Sequence, residues 1–345
     1  MKTQFGLAIG LVLLASPAVA VETGAKAPAG GTFKVIALDS DQPGKAKVVD
    51  PNLIDAWGLS QSPGGAVWVS DNGTGLSTVY NRTNGQIQSL VVTIPQGAPT
   101  GNVYVPSSID FQLTENGKSG AAAFLFDSEA GVISGWAPSV DASNAIVGVN
   151  NSSAGAVYKG LALDTGTQQL YAANFSQNKI EVYNTQFQLV SSFTDTSLPA
   201  RYAPFNIVDV NGTLYVAFAE RDKSGKNEVD GAHKGYVDVF NTSGQLQSHL
   251  IAKGFLNAPW GMQIAPSGFG SYGGDLLVGN FGNGWINVYD PTKGTWLATL
   301  QGKKGPLTIQ GLWSLDNGPG TGQVSFSAGP GAEAHGLLGI IEPAK

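Results

Sequence analysis

The chain has 345 residues, a formal net charge of −6, 13% charged residues and no cysteine. A mildly acidic chain with scattered charges argues against nucleic acid and anionic membrane surfaces as partners, and disulfides cannot stabilise it. The 47 glycines, frequent turn dipeptides and lack of helical periodicity beyond the N-terminal segment predict an all-β fold with a sizeable core.

Residues 1–20 (MKTQFGLAIGLVLLASPAVA) have the features of a secretory signal peptide. Lys2 precedes an apolar run, and Ala18-Val19-Ala20 forms an A-x-A cleavage site. Residues 21–31 are rich in Gly, Ala and Pro and are predicted to be a flexible leader. We therefore expect an exported protein, periplasmic or extracellular, with no membrane span in the mature chain.

The segment 57–92 has the pattern of a four-stranded antiparallel meander. Short apolar runs are separated by Pro63-Gly64-Gly65, Asn72-Gly73 and Asn84-Gly85, which are turn sequences. The pattern recurs at a spacing of about fifty residues, which is typical of propeller blades. Residues 32–345 are therefore predicted to form a single domain, a six-bladed β-propeller.

Each predicted first strand contains a triplet with a small second residue. Innermost strands converge on a central axis, so only small side chains fit where the backbones approach closely. The triplets are Trp57-Gly58-Leu59, Ser107-Ser108-Ile109, Lys159-Gly160-Leu161, Phe205-Asn206-Ile207, Trp260-Gly261-Met262 and Gln310-Gly311-Leu312.

The last blade lacks a fourth strand because the sequence ends soon after its third. The N-terminal strand 33–38 (FKVIAL) is predicted to supply it and thereby to close the ring.

The candidate functional residues are predicted to lie at one mouth of the central channel. In an antiparallel blade, the start of the first strand and the end of the second lie at the same edge. The insert 220–234 opens at this mouth too. An aromatic lining with a few polar groups is the usual form of a binding site, and the ligand-binding candidates are Trp57, Lys159, Phe205, Trp260 and Gln310. For the two tryptophans, packing between blades is the alternative role.

Oxygen-bearing side chains at the same mouth suit a hard cation such as Ca²⁺ or another divalent ion. The alternative is that these Asp and Asn residues cap turns through hydrogen bonds to backbone N–H groups. The candidate metal ligands are Asp71, Asp127, Asn174, Glu220 and Asn280. The three histidines, His233, His249 and His335, lack the spacing of a zinc site, and His249 is expected on an exposed outer strand.

Five stretches carry a resemblance to known proteins. Asp50-Pro51-x-Leu53-x-x-x-Trp57-Gly58-Leu59 and 68–75 (WVSDNGTG), with 258–262 (APWGM), 275–281 (DLLVGNF) and 336–339 (GLLG), resemble an uncharacterised family of exported bacterial six-bladed propellers over essentially the whole mature chain. Ala56 departs from that pattern, in which Pro precedes the tryptophan.

More distantly, 170–184 (LYAANFSQNKIEVYN) is similar to NHL repeats and to gluconolactonase-type propellers. The latter hold a divalent cation at the channel mouth with Glu, Asn and Asp and hydrolyse lactones. Their Glu-Gly-Pro opening corresponds to Trp57-Gly58-Leu59, so that glutamate ligand is absent here. Asn174 and Asn280, or Asp71 and Asp127, would have to replace it.

Two functions follow as expectations. The first is a monomeric binding propeller that takes a small-molecule, carbohydrate or protein ligand at the mouth without chemistry. The alternative is a metal-dependent hydrolase or lyase, lactonase-like, at the same mouth. The absence of G-x-S-x-G, H-E-x-x-H and Walker sequences favours the first.

Overall fold

Six sheets are arranged as blades around a central channel, each with four antiparallel strands, and the sixth has a short fifth strand at its outer edge. The computed structural model describes residues 31–344, so the predicted signal peptide and nearly all of the predicted leader lie outside the described residues. From the innermost strand outward, blade 1 consists of Ala56–Gln61, Val67–Asp71, Leu76–Tyr80 and Ile87–Thr93. Blade 2 consists of Pro99–Tyr104, Phe124–Ser128, Val132–Trp136 and Ile146–Asn150. Blade 3 consists of Tyr158–Asp164, Gln169–Asn174, Lys179–Tyr183 and Leu189–Phe193.

Blades 4 and 5 follow the same order. Their strands are Tyr202–Val210, Thr213–Glu220, Tyr236–Asn241 and Leu246–Ala252; and Pro259–Ile264, Leu276–Asn280, Ile286–Tyr289 and Trp296–Thr299. Blade 6 contains Leu312–Asn317, Val324–Ala328 and Leu337–Pro343, and its outer strand is the N-terminal Phe33–Ser40.

The predicted closure of the ring is confirmed. Phe33–Ser40 runs antiparallel to Leu337–Pro343, with Phe33 opposite Pro343 and Lys34 opposite Glu342. The short strand Val48–Val49 pairs parallel to its outer edge. Pairing the two ends of the domain satisfies backbone groups that an open sixth blade would leave exposed.

The predicted register of the first strands was right in four blades and wrong in blades 2 and 6. In blade 2 the inner strand is Pro99–Tyr104, and 107–109 lies in the link to an additional hairpin, Gln112–Glu115 with Lys118–Ala121. In blade 6 the triplet is Trp313-Ser314-Leu315, because Leu312 pairs with Ala328 and Leu315 with Phe326. Both errors arose because a Gly- or Ser-bearing turn lies beside the true strand and mimics its small residue.

Backbone contact between neighbouring inner strands explains the small residues. A Cβ added at Gly58 would lie 2.5 Å from the Thr100 carbonyl oxygen, and one at Gly101 would lie 2.6 Å from the Leu161 nitrogen. Apolar residues of adjacent blades interleave into buried clusters between the sheets. The channel therefore has rigid walls made of the six inner strands.

Few elements lie outside the blades. They include two 3₁₀ turns, Ser152–Ala154 and Gly270–Tyr272, and the hairpin Gln301–Gly302 with Gly305–Pro306. Within residues 31–344, no helix has the length and apolar character needed to cross a membrane.

Candidate functional site

The two ends of the channel differ in packing. Ala56 lies opposite Asp71, Tyr158 opposite Asn174 and Pro259 opposite Asn280, so first-strand starts and second-strand ends share one edge. We call this edge the aromatic end, defined by the buried cluster of Trp57, Phe175, Phe205, Trp260 and Trp313. The opposite edge, where the first strands finish at residues such as Gln61 and Asn317, is called the open end.

Three tryptophans fill the aromatic end. Trp57 and Trp313 are stacked with ring centroids 3.5 Å apart, and Trp260 meets both edge-on at 6.0 and 5.9 Å. Trp57 and Trp260 are 2% and 3% exposed, so both serve in packing between blades in this structure. Trp313 was missed from the sequence because the register of blade 6 was displaced.

A single carboxylate fixes the stacked pair. Asp55 accepts hydrogen bonds from the indole N–H groups of Trp57, at 2.8 Å, and of Trp313, at 3.0 Å. Burial, with the nearby charge of Glu333, raises the pKa of Asp55 to about 8 although both indoles act in the opposite direction. Asp55 also has a positive φ of 50°, a conformation that few non-glycine residues adopt.

Lys159 lies beneath this pair and is 2% exposed. Its Nζ is 2.5 Å from Glu129 Oε1, 3.4 Å from Glu228 Oε2 and 4.9 Å from the Trp57 ring centroid. Burial acts to lower the pKa of Lys159, but the two glutamates outweigh it and the pKa is raised. The lysine is therefore held charged inside the aromatic end.

The acidic partners of Lys159 come from separate blades. Glu129 follows the second strand of blade 2, and Glu228 belongs to the blade 4 insert, so this insert covers the aromatic end. Glu333, half-buried in the turn between the last strands of blade 6, has a positive φ of 66°. Burial and the charges of Glu228 and Glu129 raise its pKa to about 7, against the effect of Lys159.

Of the five predicted ligand-binding residues, four are placed together at this end. Trp57, Lys159 and Trp260 make the contacts above, and Phe205 packs 6.0 Å from Trp313. Gln310 instead lies exposed in the turn before the inner strand of blade 6, where Trp313 occupies the position equivalent to Trp57.

The predicted metal ligands are engaged in local bonds near their own blades. Asp71 accepts from Thr78 at 2.7 Å, and Asp127 accepts from Thr100 at 2.8 Å and from the Gly101 N–H at 2.6 Å. Burial raises the pKa of Asp71 well above its usual value and that of Asp127 to about 7. The remaining partners are Glu181 for Asn174, the Phe255 carbonyl for Asn280, and Arg201 and Lys234 for Glu220.

These carboxylates are not clustered around one point. Among residues 31–344, the group of three acidic or histidine side chains close enough to share an ion is Asp195, Asp238 and His249, in the outer part of blades 3 and 4. Asp71, Asp127 and Glu220 are not such a group. The predicted cation site at the mouth remains a prediction.

The open end contains a cavity of about 560 Å³. All six inner strands line it, and its polar lining includes Gln61, Asn102, Asn206, Gln263, Asp209 and Asp316. The cavity was missed from the sequence, although extending the comparison of inner strands two or three places past the small residue would have shown Gln61 in blade 1, Asp209 in blade 4 and Gln263 in blade 5.

Several oxygen atoms of this lining have no hydrogen-bond donor within the described chain. They are Ser60 Oγ, Gln61 Oε1 and Asn102 Oδ1, all buried. The charged lining residues are Asp209 and Asp316, and burial raises the pKa of each to about 6. The open end therefore offers hydrogen-bond acceptors and no cationic side chain in its lining.

Comparisons with known proteins place the chain in a family. No protein-family model matches it. Uncharacterized protein R648 of Acanthamoeba polyphaga mimivirus is 30% identical over 323 residues, covering 90% of this chain and 80% of that protein. Uncharacterized protein L690 of the same virus is 31% identical over 325 residues, covering 90% and 86% respectively.

Among solved structures, a streptogramin B lyase has a similar fold. The TM-score is 0.54 at 9% identity, and the alignment covers 93% of this chain and 100% of the lyase chain. At this identity the likeness concerns the fold alone. The predicted membership of an exported bacterial family stays a prediction, since the relatives named above are viral. The chain belongs to the family of the mimivirus proteins R648 and L690, and it has the fold of a six-bladed β-propeller.

Proposed function

We propose that this protein binds a small polar ligand inside the central channel and that the ligand enters at the open end. The observation that carries the proposal is the cavity of about 560 Å³. Ligand pockets commonly measure about 300–1,000 Å³. At the aromatic end, by contrast, a ligand would have to displace tryptophans that are already packed.

The lining indicates the chemistry of the ligand. The polar side chains of the lining that remain partly exposed, among them Gln61, Asp209 and Gln263, present hydrogen-bond acceptors to a ligand. The carboxylates of Asp209 and Asp316 disfavour anions. The ligand class is therefore a neutral or cationic molecule rich in O–H or N–H groups, such as a carbohydrate or an amine.

The test is a thermal-shift screen with neutral oligosaccharides, polyamines and dicarboxylates, followed by calorimetry on any ligand that raises Tm. Gln61→Trp should narrow the cavity and weaken binding at least about tenfold, whereas Gln88→Trp, on the exposed outer strand of blade 1, should leave it unchanged. Asp316→Asn should weaken amines about tenfold and affect sugars little. Unchanged affinity in Gln61→Trp, or binding of dicarboxylates alone, would reject the proposal.

A second candidate is acid–base catalysis of the hydrolase or lyase type at the aromatic end. Glu333 favours it, because a half-buried carboxyl with a pKa near 7 suits proton transfer at neutral pH. A lactone and ester panel would test it: Glu333→Gln should lower kcat at least about 100-fold. An unchanged kcat in that variant would exclude Glu333 as the acid–base group.

The predicted cation at the mouth is tested separately, by measuring Tm in EDTA and then in Ca²⁺.

A further inference from the structure

We propose that Asp195, Asp238 and His249 bind a divalent transition-metal ion, of the Zn²⁺ type, where blade 4 meets blade 3. Asp195 follows the outer strand of blade 3, Asp238 lies in the third strand of blade 4, and His249 lies directly opposite it in the fourth. The inference is independent of the proposed ligand in the channel.

Comparison of the blades shows why Asp238 has no partner on the second strand of its own sheet. In blades 1 and 3, a polar residue at the end of the second strand bonds to the residue equivalent to Asp238. These bonds are Asp71 with Thr78 and Asn174 with Glu181. In blade 4 the second-strand position holds Phe218, which cannot form such a bond.

Asp238 is left as a fully buried carboxylate with an unpaired oxygen. Its Oδ2 has no hydrogen-bond partner among the described residues, and its neighbour Asp195 is 6% exposed. Two buried carboxylates side by side repel each other unless a proton or a cation lies between them. The unpaired Oδ2 of Asp238 is thus an independent indication that a proton or a cation lies between the two carboxylates.

The spacing of the three groups fits a tetrahedral ion. His249 Nδ1 lies 3.2 Å from Asp195 Oδ2 and 3.2 Å from Asp238 Oδ1. Metal–ligand bonds of about 2.0–2.1 Å in tetrahedral geometry separate neighbouring ligand atoms by about 3.3 Å. The His249 side chain is 50% exposed, which leaves room for water as a fourth ligand.

The ligand types point to Zn²⁺ rather than Ca²⁺. An imidazole nitrogen with two carboxylates suits zinc, whereas calcium takes six to eight oxygen ligands. Ser197 supplies a supporting contact on each side, since its N–H donates to Asp195 Oδ1 at 2.8 Å and its Oγ lies 3.4 Å from His249 Nε2. Such outer contacts orient ligands in metal sites.

The experiment uses the full chain stripped with EDTA and titrated with ZnCl₂ by calorimetry, with melting measured in parallel. We expect one Zn²⁺ per chain and, at a concentration about 100-fold above Kd, a rise in Tm of about 3 °C. His249→Gln should weaken affinity about 100-fold. His233→Gln is the matched control, because it removes an exposed histidine of the same blade that lies outside the cluster.

Asp238→Asn separates a metal from a shared proton. It should abolish zinc binding and raise the Tm of the metal-free chain, because it relieves repulsion between two carboxylates. If that variant does not fold, the half-exposed His249→Gln decides the question. Equal zinc affinity in the native chain and His249→Gln, no zinc binding at all, or a Tm rise with Ca²⁺ in place of Zn²⁺ would each overturn the proposal.

Discussion

At the scale of single residues, the aromatic end is organised by ionisable groups that are buried among rings. Asp55 holds two indole N–H groups, and Lys159 is enclosed by Trp57, Glu129 and Glu228. A buried charge is tolerated only when it is paired, so these groups depend on each other. Trp57, Lys159 and Trp260, which were predicted to bind a ligand, contact one another in this structure, and their role in binding stays a prediction.

Lys159→Met should therefore destabilise the fold. Removing the cation leaves Glu228, whose side chain is 9% exposed, without its ion pair, and breaking a buried pair costs about 3–5 kcal/mol. Adding Glu228→Gln should restore more than half of the loss in urea-unfolding free energy. Lys34→Met, in a surface pair with Glu342, should cost less than about 1 kcal/mol. Equal costs for the two lysine variants would contradict this account.

At the scale of elements, the inner strands set the diameter of the channel. Their small residues allow each strand to approach the backbone of the next, as Gly58 does against Thr100 and Asn102. The residues directly before and after each small residue have larger side chains, which point into the aromatic end or between blades. The same six inner strands form the wall of the cavity at the open end.

Gly58→Ala should disrupt this contact. The new Cβ would lie 2.5 Å from the Thr100 oxygen and 2.8 Å from the Asn102 nitrogen, both backbone atoms that cannot move without shifting blade 2. We expect a loss of about 2–3 kcal/mol in unfolding free energy, measured by urea denaturation. Gly302→Ala is the control, since its Cβ would meet ordinary contacts from 3.5 Å. A variant at Gly58 as stable as that control would argue against close strand contact.

At the scale of the whole molecule, many carboxyl groups are buried with too little compensation. Burial is the largest cause that raises the pKa of Asp39 to about 7, of Asp55 to about 8 and of Asp127 to about 7. For other carboxyls, including Asp164 and Glu181, burial also acts to raise the pKa, but hydrogen bonds to the charged form outweigh it and the pKa is lowered. Protonation of the first set therefore favours the folded state, whereas protonation of the second set favours the unfolded state.

Stability should therefore fall as pH rises from about 5 to 8. In this window the folded chain holds more protons than the unfolded chain, whose carboxyls titrate near pH 4, so unfolding free energy decreases with pH. Below about pH 4 the groups with lowered pKa values reverse the trend. We expect Tm, measured by circular dichroism, to drop by about 5 °C between pH 5 and pH 8.

Asp127→Asn should flatten this slope and raise Tm at pH 8, because the amide keeps the acceptor for Gly101 and Thr100 without a buried charge. Asp141→Asn should leave the slope unchanged, because hydrogen bonds from Ser143 and Asn144 lower the pKa of Asp141 and it does not titrate in this window. A Tm that rises steadily from pH 5 to 8 would show that the burial effects do not control stability.

The sequence by itself determined the blade count, the closure of the ring and the strands of each blade, apart from the inner strands of blades 2 and 6, which were displaced. Turn dipeptides and alternating apolar runs are local signals, and the pairing of strand 33–38 with the last blade follows from the missing fourth strand. Trp57, Lys159, Phe205 and Trp260 were also correctly gathered at one end, since that requires only the antiparallel order of strands.

The tertiary structure alone decided which end is filled and which is open. Whether Trp57 faces a ligand or another ring depends on Trp313 and Asp55, which come from different blades and meet only when the ring closes. Likewise, Asp195, Asp238 and His249 have no common spacing along the chain and converge through sheet pairing and the link between blades. Contacts of this kind depend on side-chain direction and blade rotation, which local sequence patterns do not encode.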